Sequence, residues 1–270
     1  MPRGIKFPRT RLATVDLGKI ASRRHHMAGL LELDVTDVRN QIRQHRRSTG
    51  ESLSFQAWIV KAVSRTLEDF PEAHAFRGPG RSITVFEHIE ITVMVERRIR
   101  GSLVPLAWVL RNTEKKTAGE ISRELEEIRS AEEKDSDVVL GRNSGFLESL
   151  YFSLPGSLRR LCWKVLLLFP RAAQSRMGSA IITNVGAMGQ VRGWFIPKTI
   201  HTFCVGVGSI VKKPLFVNGL VLPRDVLHMT VLIDHDVIDG APMARCIRSL
   251  SRNIESPVRF STDRSGTDSD

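Results

Sequence analysis

Acidic side chains are scarce in this chain: 29 Asp and Glu stand against 40 Lys and Arg, leaving a net charge of +11. Such a balance favours anionic partners, among them nucleotides, phosphates, nucleic acid and anionic lipid. Tyrosine is almost absent, with one residue, and the aromatics are not interleaved with the basic residues. With no nucleic-acid motif either, a nucleic-acid partner is not expected. The three cysteines, Cys162, Cys204 and Cys246, lie far apart in apolar settings. An odd count without paired spacing points to a reducing, cytoplasmic compartment and argues against a zinc site. Nowhere do the ~18 to 20 apolar residues of a spanning helix run together. The basic N-terminal stretch has no apolar run behind it, so no signal peptide is expected.

What is present suits a globular fold. The 270 residues are 41% hydrophobic and 26% charged, ample for one large core. Residues 1–20 are basic and read as an extended arm or an edge strand. Gly29 to Val35 is a strand candidate leading to Thr36 and Asp37, both good helix caps. Ser54 opens a helix in which Phe55, Ile59, Val63 and Leu67 recur at four-residue spacing, and Pro71 closes it. Short strands are expected at 83–86, 89–95 and 104–110, the last held to an edge or a strand start by Pro105. Thr117 and Glu120 form a capping box for a helix with Ile121, Leu125 and Ile128 inward.

Residues 130–144 read as a polar connection. The apolar stretch from 146 to about 170 is split by Pro155 and Gly156. Its second half pairs Leu158, Leu161, Cys162, Val165, Leu168 and Phe169 with Arg159, Arg160 and Lys164. A cationic amphipathic helix can lie on a membrane surface. The expected reading is instead that it docks on this domain or a neighbouring subunit, since Leu166 and Leu167 make it apolar nearly all round. The last third is β-rich, with strands at 180–185, 202–211 and 228–235, a hairpin around Asn218-Gly219 and a helix from Pro242 with Ala244, Ile247 and Leu250 inward. Residues 256–270 read as a disordered tail. Alternating helices and strands with a β-rich end predict an α/β sandwich with a large mixed sheet covered by helices, a single domain over 21–255.

The stretch of most chemical interest is Ile233 to Ala241, I-D-H-D-V-I-D-G-A. By strand alternation Val231, Ile233 and His235 share one face, so His235 is expected to point into protein. A neutral imidazole on a stiff strand suits general-base chemistry near neutral pH. Asp239 can orient a ring or anchor a loop, and Gly240 permits a tight turn. A core histidine beside an ordinary Asp-Gly turn fits the same spacing. Other sites are missing: no Gly-rich phosphate loop follows a strand, and no Gly-x-Ser-x-Gly elbow occurs. His25 and His26 would face opposite ways on a strand, which disfavours a metal pair. His26 is expected to line a cleft or make a structural hydrogen bond.

Four blocks carry a resemblance. They are H-H-M-A-G-L-L-E-L-D-V-T from His25, the buried helix ending D-F-P-E at Glu72, the Val104-Pro105 strand with the approach from Asn112 to Thr117, and a last block. That block runs from I-I-T-N-V-G at Ile181 through G-V-G-S-I at Gly206 to D-H-D-V-I-D-G-A at Asp234. In this order they resemble the catalytic domain of the acyltransferase (dihydrolipoamide acyltransferase) components of 2-oxo acid dehydrogenase complexes, with the chloramphenicol acetyltransferase-like fold. The resemblance implies a two-layer sandwich and a transferase using coenzyme A as substrate, with no metal. It implies His235 as the base that deprotonates coenzyme A or dihydrolipoamide. Thr183, where the family usually has serine, becomes the oxyanion donor. Asp239 becomes a structural partner held through an arginine, and Asn184, Gly240 and His26 line the substrate site. It also implies a homotrimer or a multiple of trimers, each site using the histidine of one chain and the hydroxyl of the next.

Three features depart from the family pattern. Asp236 follows the histidine where Arg or His is usual. The 146–170 insertion is longer and more apolar than the usual connection. No lipoyl attachment site or partner-binding domain is expected in this chain, which points to a stand-alone acyltransferase or to a lipoylated carrier domain supplied in trans. A reading from another class is a catalytically silent member of the fold, acting as an oligomeric or membrane-associated scaffold.

Overall fold

The computed structural model describes residues 7, 11–99, 102–130, 150–186 and 191–256, with the backbone alone for 97–99 and 102–105. The helices among these residues include α1 (Arg11–Ala21), α2 (Thr36–Thr49), α3 (Phe55–Asp69), α4 (Ala118–Ser130), α5 (Gly156–Leu167), α6 (Pro170–Met177) and α7 (Gly240–Glu255). The strands are β1 (His26–Asp34), β2 (Phe76–Arg77), β3 (Ile83–Thr84), β4 (Ile91–Ile99), β5 (Ser102–Leu110), β6 (Ala180–Asn184), β7 (Phe203–Val217) and β8 (Leu220–Asp234). Six of them form one mixed sheet in the order β1-β8-β7-β6-β4-β5. β6 runs parallel to both β4 and β7, and the other pairs are antiparallel. The expected α/β sandwich with a large mixed sheet is therefore present, and Pro105 lies on an edge strand as its missing N–H requires.

Strand alternation gives the sheet two unlike faces. One face carries Ile91, Val93, Ala180, Ile182, Phe203, Val205, Met229, Val231 and Ile233 into a core shared with α3, α4 and α7. Ser54 caps α3 by accepting from the Ala57 N–H at 3.1 Å. That helix is apolar over most of its surface, so it can only be the central helix of the layer. Its Trp58 indole donates to the Ile254 carbonyl of α7 at 3.1 Å, which ties the two helices together. The Thr117–Glu120 capping box forms in both directions.

The other sheet face is more polar, although Cys204 and Leu232 are buried on it. Thr183, Gly206 and Thr230 stand side by side across β6, β7 and β8, with His228 and Asp234 further along β8. Here the cover is irregular chain, residues 191–202. Trp194 stacks on His228 with ring centroids 4.4 Å apart, and its indole donates to the Leu31 carbonyl at 2.9 Å. A side chain at Gly206 would sit 3.1 Å from the Phe195 carbonyl, so glycine is what lets the strap lie down.

The Asn218-Gly219 hairpin is present, but as the tip of one long ribbon in which β7 and β8 have 15 residues each. Both turn residues have positive φ, 50° and 83°. The bulge between Val207 and Ile210 separates the in-sheet half of the ribbon from the projecting half.

Four local expectations are corrected. Residues 11–21 are helical rather than an extended arm. Ala13, Asp16, Ile20 and Ala21 are buried at helical spacing, a period masked by counting Asp16 as a surface charge. In α7 Leu250 and Ile247 face the core as expected, together with Met243, Cys246 and Ile254, but Ala244 is exposed. β3 covers only Ile83–Thr84, and β1 begins earlier than expected, at His26. The expected tail beyond 256, the polar connection after Ser130 and the start of the 146–170 insertion lie outside the described residues.

Two glycines give opposite expectations. A Cβ at Gly186 would lie 1.9 Å from the Gly208 carbonyl oxygen, backbone against backbone, whereas Gly18 in α1 has nothing within 4 Å. Gly186→Ala should therefore lower the urea midpoint sharply. Gly18→Ala should raise stability by about 0.5–1 kcal/mol, since alanine loses less freedom in a helix.

Candidate functional site

β8 ends at Asp234, and the chain turns through residues 235–238 before α7 begins at Gly240. The turn has a definite cause. The Asp234 backbone carbonyl accepts from the N–H groups of Val237 and Ile238, at 3.1 and 3.4 Å. Its side chain accepts from the Asp236 N–H at 3.2 Å and from Arg24 Nη1 at 3.0 Å. Asp234 is wholly buried, and its own N–H donates to the Thr202 carbonyl. A buried carboxylate with an arginine partner and a backbone donor is stable as an anion. With the arginine removed it is an uncompensated charge.

His235 follows directly. Its N–H donates to the His25 carbonyl at 3.0 Å, extending the β1–β8 ladder by one step. Its side chain is exposed in the single chain, which corrects the expectation that it points into protein. Alternation stops at Asp234 because the turn begins there, so Asp234 is the buried member of the pair.

Asp236, the departure from the family pattern, is engaged by two side chains from other elements. Its carboxylate bonds His25 Nδ1 at 2.9 Å and lies 3.4 Å from Arg77 Nη1. The hydrogen bond with Asp236 raises the His25 pKa above its ordinary value, and the hydrogen bond from His25 lowers that of Asp236. His26, on the opposite side of β1, bonds the His201 carbonyl through Nε2 at 2.8 Å, the structural role among its two expected ones.

Asp239 is exposed and stands at the N-cap of α7 without a side-chain capping bond. Among the described residues no arginine pairs with it. The arginine of this site is Arg24, and its partner is Asp234. Gly240 is the first residue of α7. Thr183 and Asn184 end β6, both half-buried.

The structure thus gathers His235, Asp239 and Gly240 at one end of the sheet, with His26 beside them, but not Thr183. Thr183 is level with Gly206 and, through it, with Thr230, five residues before His235 and two strands away. At ~3.4 Å per residue and ~4.8 Å per strand the two Cα atoms are roughly 19 Å apart within one chain. Arg24, His25 and Asp234 were missed as site residues. The signal for them was adjacency: Arg24 precedes the His-His pair, and Asp234 precedes the candidate base. No group of three or more His, Cys, Asp or Glu able to hold a metal occurs among the described residues.

Comparison with known proteins supplies the family. A profile described as 2-oxoacid dehydrogenases acyltransferase (catalytic domain) matches residues 24–136 and 171–261. The lipoamide acyltransferase component of the branched-chain alpha-keto acid dehydrogenase complex of Bacillus subtilis is 25% identical over 236 residues, 86% of this chain and 47% of that protein. The chain therefore spans about half the length of this curated relative. A probable dihydrolipoamide acetyltransferase from Listeria monocytogenes superposes with a TM-score of 0.67 at 19% identity, over 98% of each chain. The dihydrolipoamide acetyltransferase of Azotobacter vinelandii gives a TM-score of 0.66 at 17% identity, over 94% of this chain and 92% of that one. It was investigated for the roles of a serine, a histidine and an asparagine in its catalytic mechanism. The serine stands 52 residues before the histidine, and the asparagine four after it. The gap between the two profile segments, 137–170, contains the whole apolar insertion at 146–170. With the profile covering about three quarters of its length, the chain belongs to the family of 2-oxoacid dehydrogenase acyltransferase catalytic domains.

Proposed function

We propose that this chain transfers acyl groups between coenzyme A and a dihydrolipoyl-type thiol, with His235 as general base. The carrying observation is one of spacing within a matched family. Thr183 precedes His235 by 52 residues and Asp239 follows it by four, the same intervals as the serine, histidine and asparagine of the Azotobacter enzyme. His235 takes the proton of the attacking thiol. The thiolate adds to the thioester carbonyl, and the oxyanion so formed accepts a hydrogen bond from the Thr183 hydroxyl. As the intermediate collapses, the departing thiolate recovers the proton from His235, so the enzyme returns to its starting state.

A separation of roughly 19 Å within one chain is too long for His235 and Thr183 to act on one carbonyl. In the proposed assembly, a homotrimer or a multiple of it, His235 of one copy meets Thr183 of the next. Such an arrangement also covers the imidazole that is exposed in the single chain. Asn184, beside Thr183, and Gly240, beside Asp239, then belong to the substrate-binding walls. The dihydrolipoyl group would arrive on a lipoylated carrier domain. Arg24 and Asp234 hold the turn, and Asp239 stands at the start of the helix that follows.

Purified protein with acetyl-CoA and dihydrolipoamide should form acetyl-dihydrolipoamide. His235→Ala should lower the rate by roughly 10²–10⁴-fold. Thr183→Val should cost ~10²-fold or more, and Thr183→Ser should keep most of the activity. An unchanged rate in His235→Ala removes the reading.

Division of the site between copies is checked by co-expression. His235→Ala and Thr183→Val chains, each inactive alone, should together regain about a quarter of wild-type sites under random mixing in a closed ring.

The loop carrying the base also has a defined pH response. The raised His25 pKa stabilises the fold below the ordinary histidine range, a contribution lost as pH rises through the raised value. The lowered Asp236 pKa stabilises it above the ordinary carboxylate range, a contribution lost as pH falls. Their pairing is therefore complete only in the acidic window between the two. Asp236→Asn should return the His25 pKa downward toward its ordinary value, read from the ring proton shifts by NMR titration.

A further inference from the structure

α5 turns one apolar face inward and another outward. Trp163, Leu166 and Leu167 pack against a small core that includes Ile20 of α1 and Ala173 and Met177 of α6. Arg159, itself buried, holds the buried Asp16 of α1 through Nε at 2.6 Å, and Arg160 adds a second contact to the same carboxylate. These contacts fix the helix to the domain. They also fix what it shows to solvent. Leu158, Leu161, Val165, Leu168 and Phe169 recur at three- and four-residue spacing and are 42–62% exposed. A contiguous apolar stripe of this size is an interaction surface rather than scattered exposure.

Charge says what the surface fits. No Asp or Glu occurs anywhere between Glu148 and Asp225, a stretch holding ten Lys and Arg. Helices α1, α5 and α6 together contain one carboxylate, Asp16, which is buried and paired. Exposed Lys164 and Arg171 border the stripe, and Arg11, Lys19 and Arg176 lie on the same three helices. A second copy of this chain would bring like charge against like charge at this rim. An anionic lipid surface matches both components, taking up the apolar side chains below the headgroups and pairing the rim with phosphates. Among the described residues no helix is long and apolar enough to cross a membrane, so the contact would lie in the plane of the interface. The module also lies largely in the gap of the family match, which frees this face from the common catalytic scaffold.

We infer that α5 and the start of α6 form a peripheral docking surface for anionic phospholipid membranes, through the stripe from Leu158 to Phe169 and its basic rim. The inference is independent of the acyl-transfer reading, because none of these residues belongs to the candidate site.

The test is co-sedimentation of the full chain with phosphatidylcholine vesicles containing about a third phosphatidylglycerol, against phosphatidylcholine alone. The protein should bind the anionic vesicles and not the neutral ones, and ~0.5 M salt should release it. Leu161→Asp/Val165→Asp and, separately, Lys164→Glu/Arg171→Glu should each weaken binding at least ~tenfold. The charge-reversal pair alters only exposed positions, so it keeps the test sound if the first pair disturbs folding. Absence of binding to anionic vesicles overturns the inference, as do variants that bind like wild type. It is overturned as well if Leu161→Asp/Val165→Asp lowers the assembly size in sedimentation velocity, which would make the stripe a contact between copies.

Discussion

The candidate site depends on one buried ion pair. Asp234 is the last residue of β8 and has no exposed surface, yet its carboxylate is half of an ion pair. Arg24, from the approach to β1, supplies the opposite charge, and the backbone N–H of Asp236 supplies a further donor. A buried carboxylate held this way cannot move without leaving a charge unpaired in the interior, at a cost of several kcal/mol. Everything downstream inherits that rigidity. The turn that presents His235 hangs from the same residue by two backbone hydrogen bonds, and α7 starts only two residues past the turn.

That constraint also explains where the sequence could be read and where it could not. Helices and strands with clean periodicity were legible: the cap at Ser54, the capping box at Thr117 and the Asn218-Gly219 turn each rest on local chemistry and sit where that chemistry places them. The family blocks spanning His25 to Ala241 likewise led to the architecture. Two kinds of feature were not legible. The helix at Arg11–Ala21 was hidden because its buried aspartate is satisfied by arginines more than 140 residues away, a partner no local window contains. The orientation of His235 was misjudged because alternation was extended one residue past the true end of the strand. The residue that ends the strand is fixed by Arg24, again a distant partner.

The two faces of the sheet divide the work. The apolar face against α3, α4 and α7 supplies the hydrophobic burial that makes the domain stable. The more polar face, covered by irregular chain, carries Thr183, His228 and Thr230. Its backbone must pass close, as at Gly186 over Gly208 and Gly206 under Phe195. Glycine at those crossings is a condition of geometry, and Thr183 and Thr230 stand beside them on paired strands.

The proposed division of the site between copies, with Thr183 and His235 far apart in one chain, has a kinetic consequence. Where a site is completed only by a neighbouring copy, the isolated chain has half of each of two sites and the whole of none. Specific activity then depends on concentration. Above the dissociation constant of the assembly it is constant, and below it the activity per chain falls as the solution is diluted. Under that proposal folding and catalytic competence are separate thresholds, the first set within one chain by the Arg24–Asp234 pair and the apolar core, the second by how many chains share the same volume.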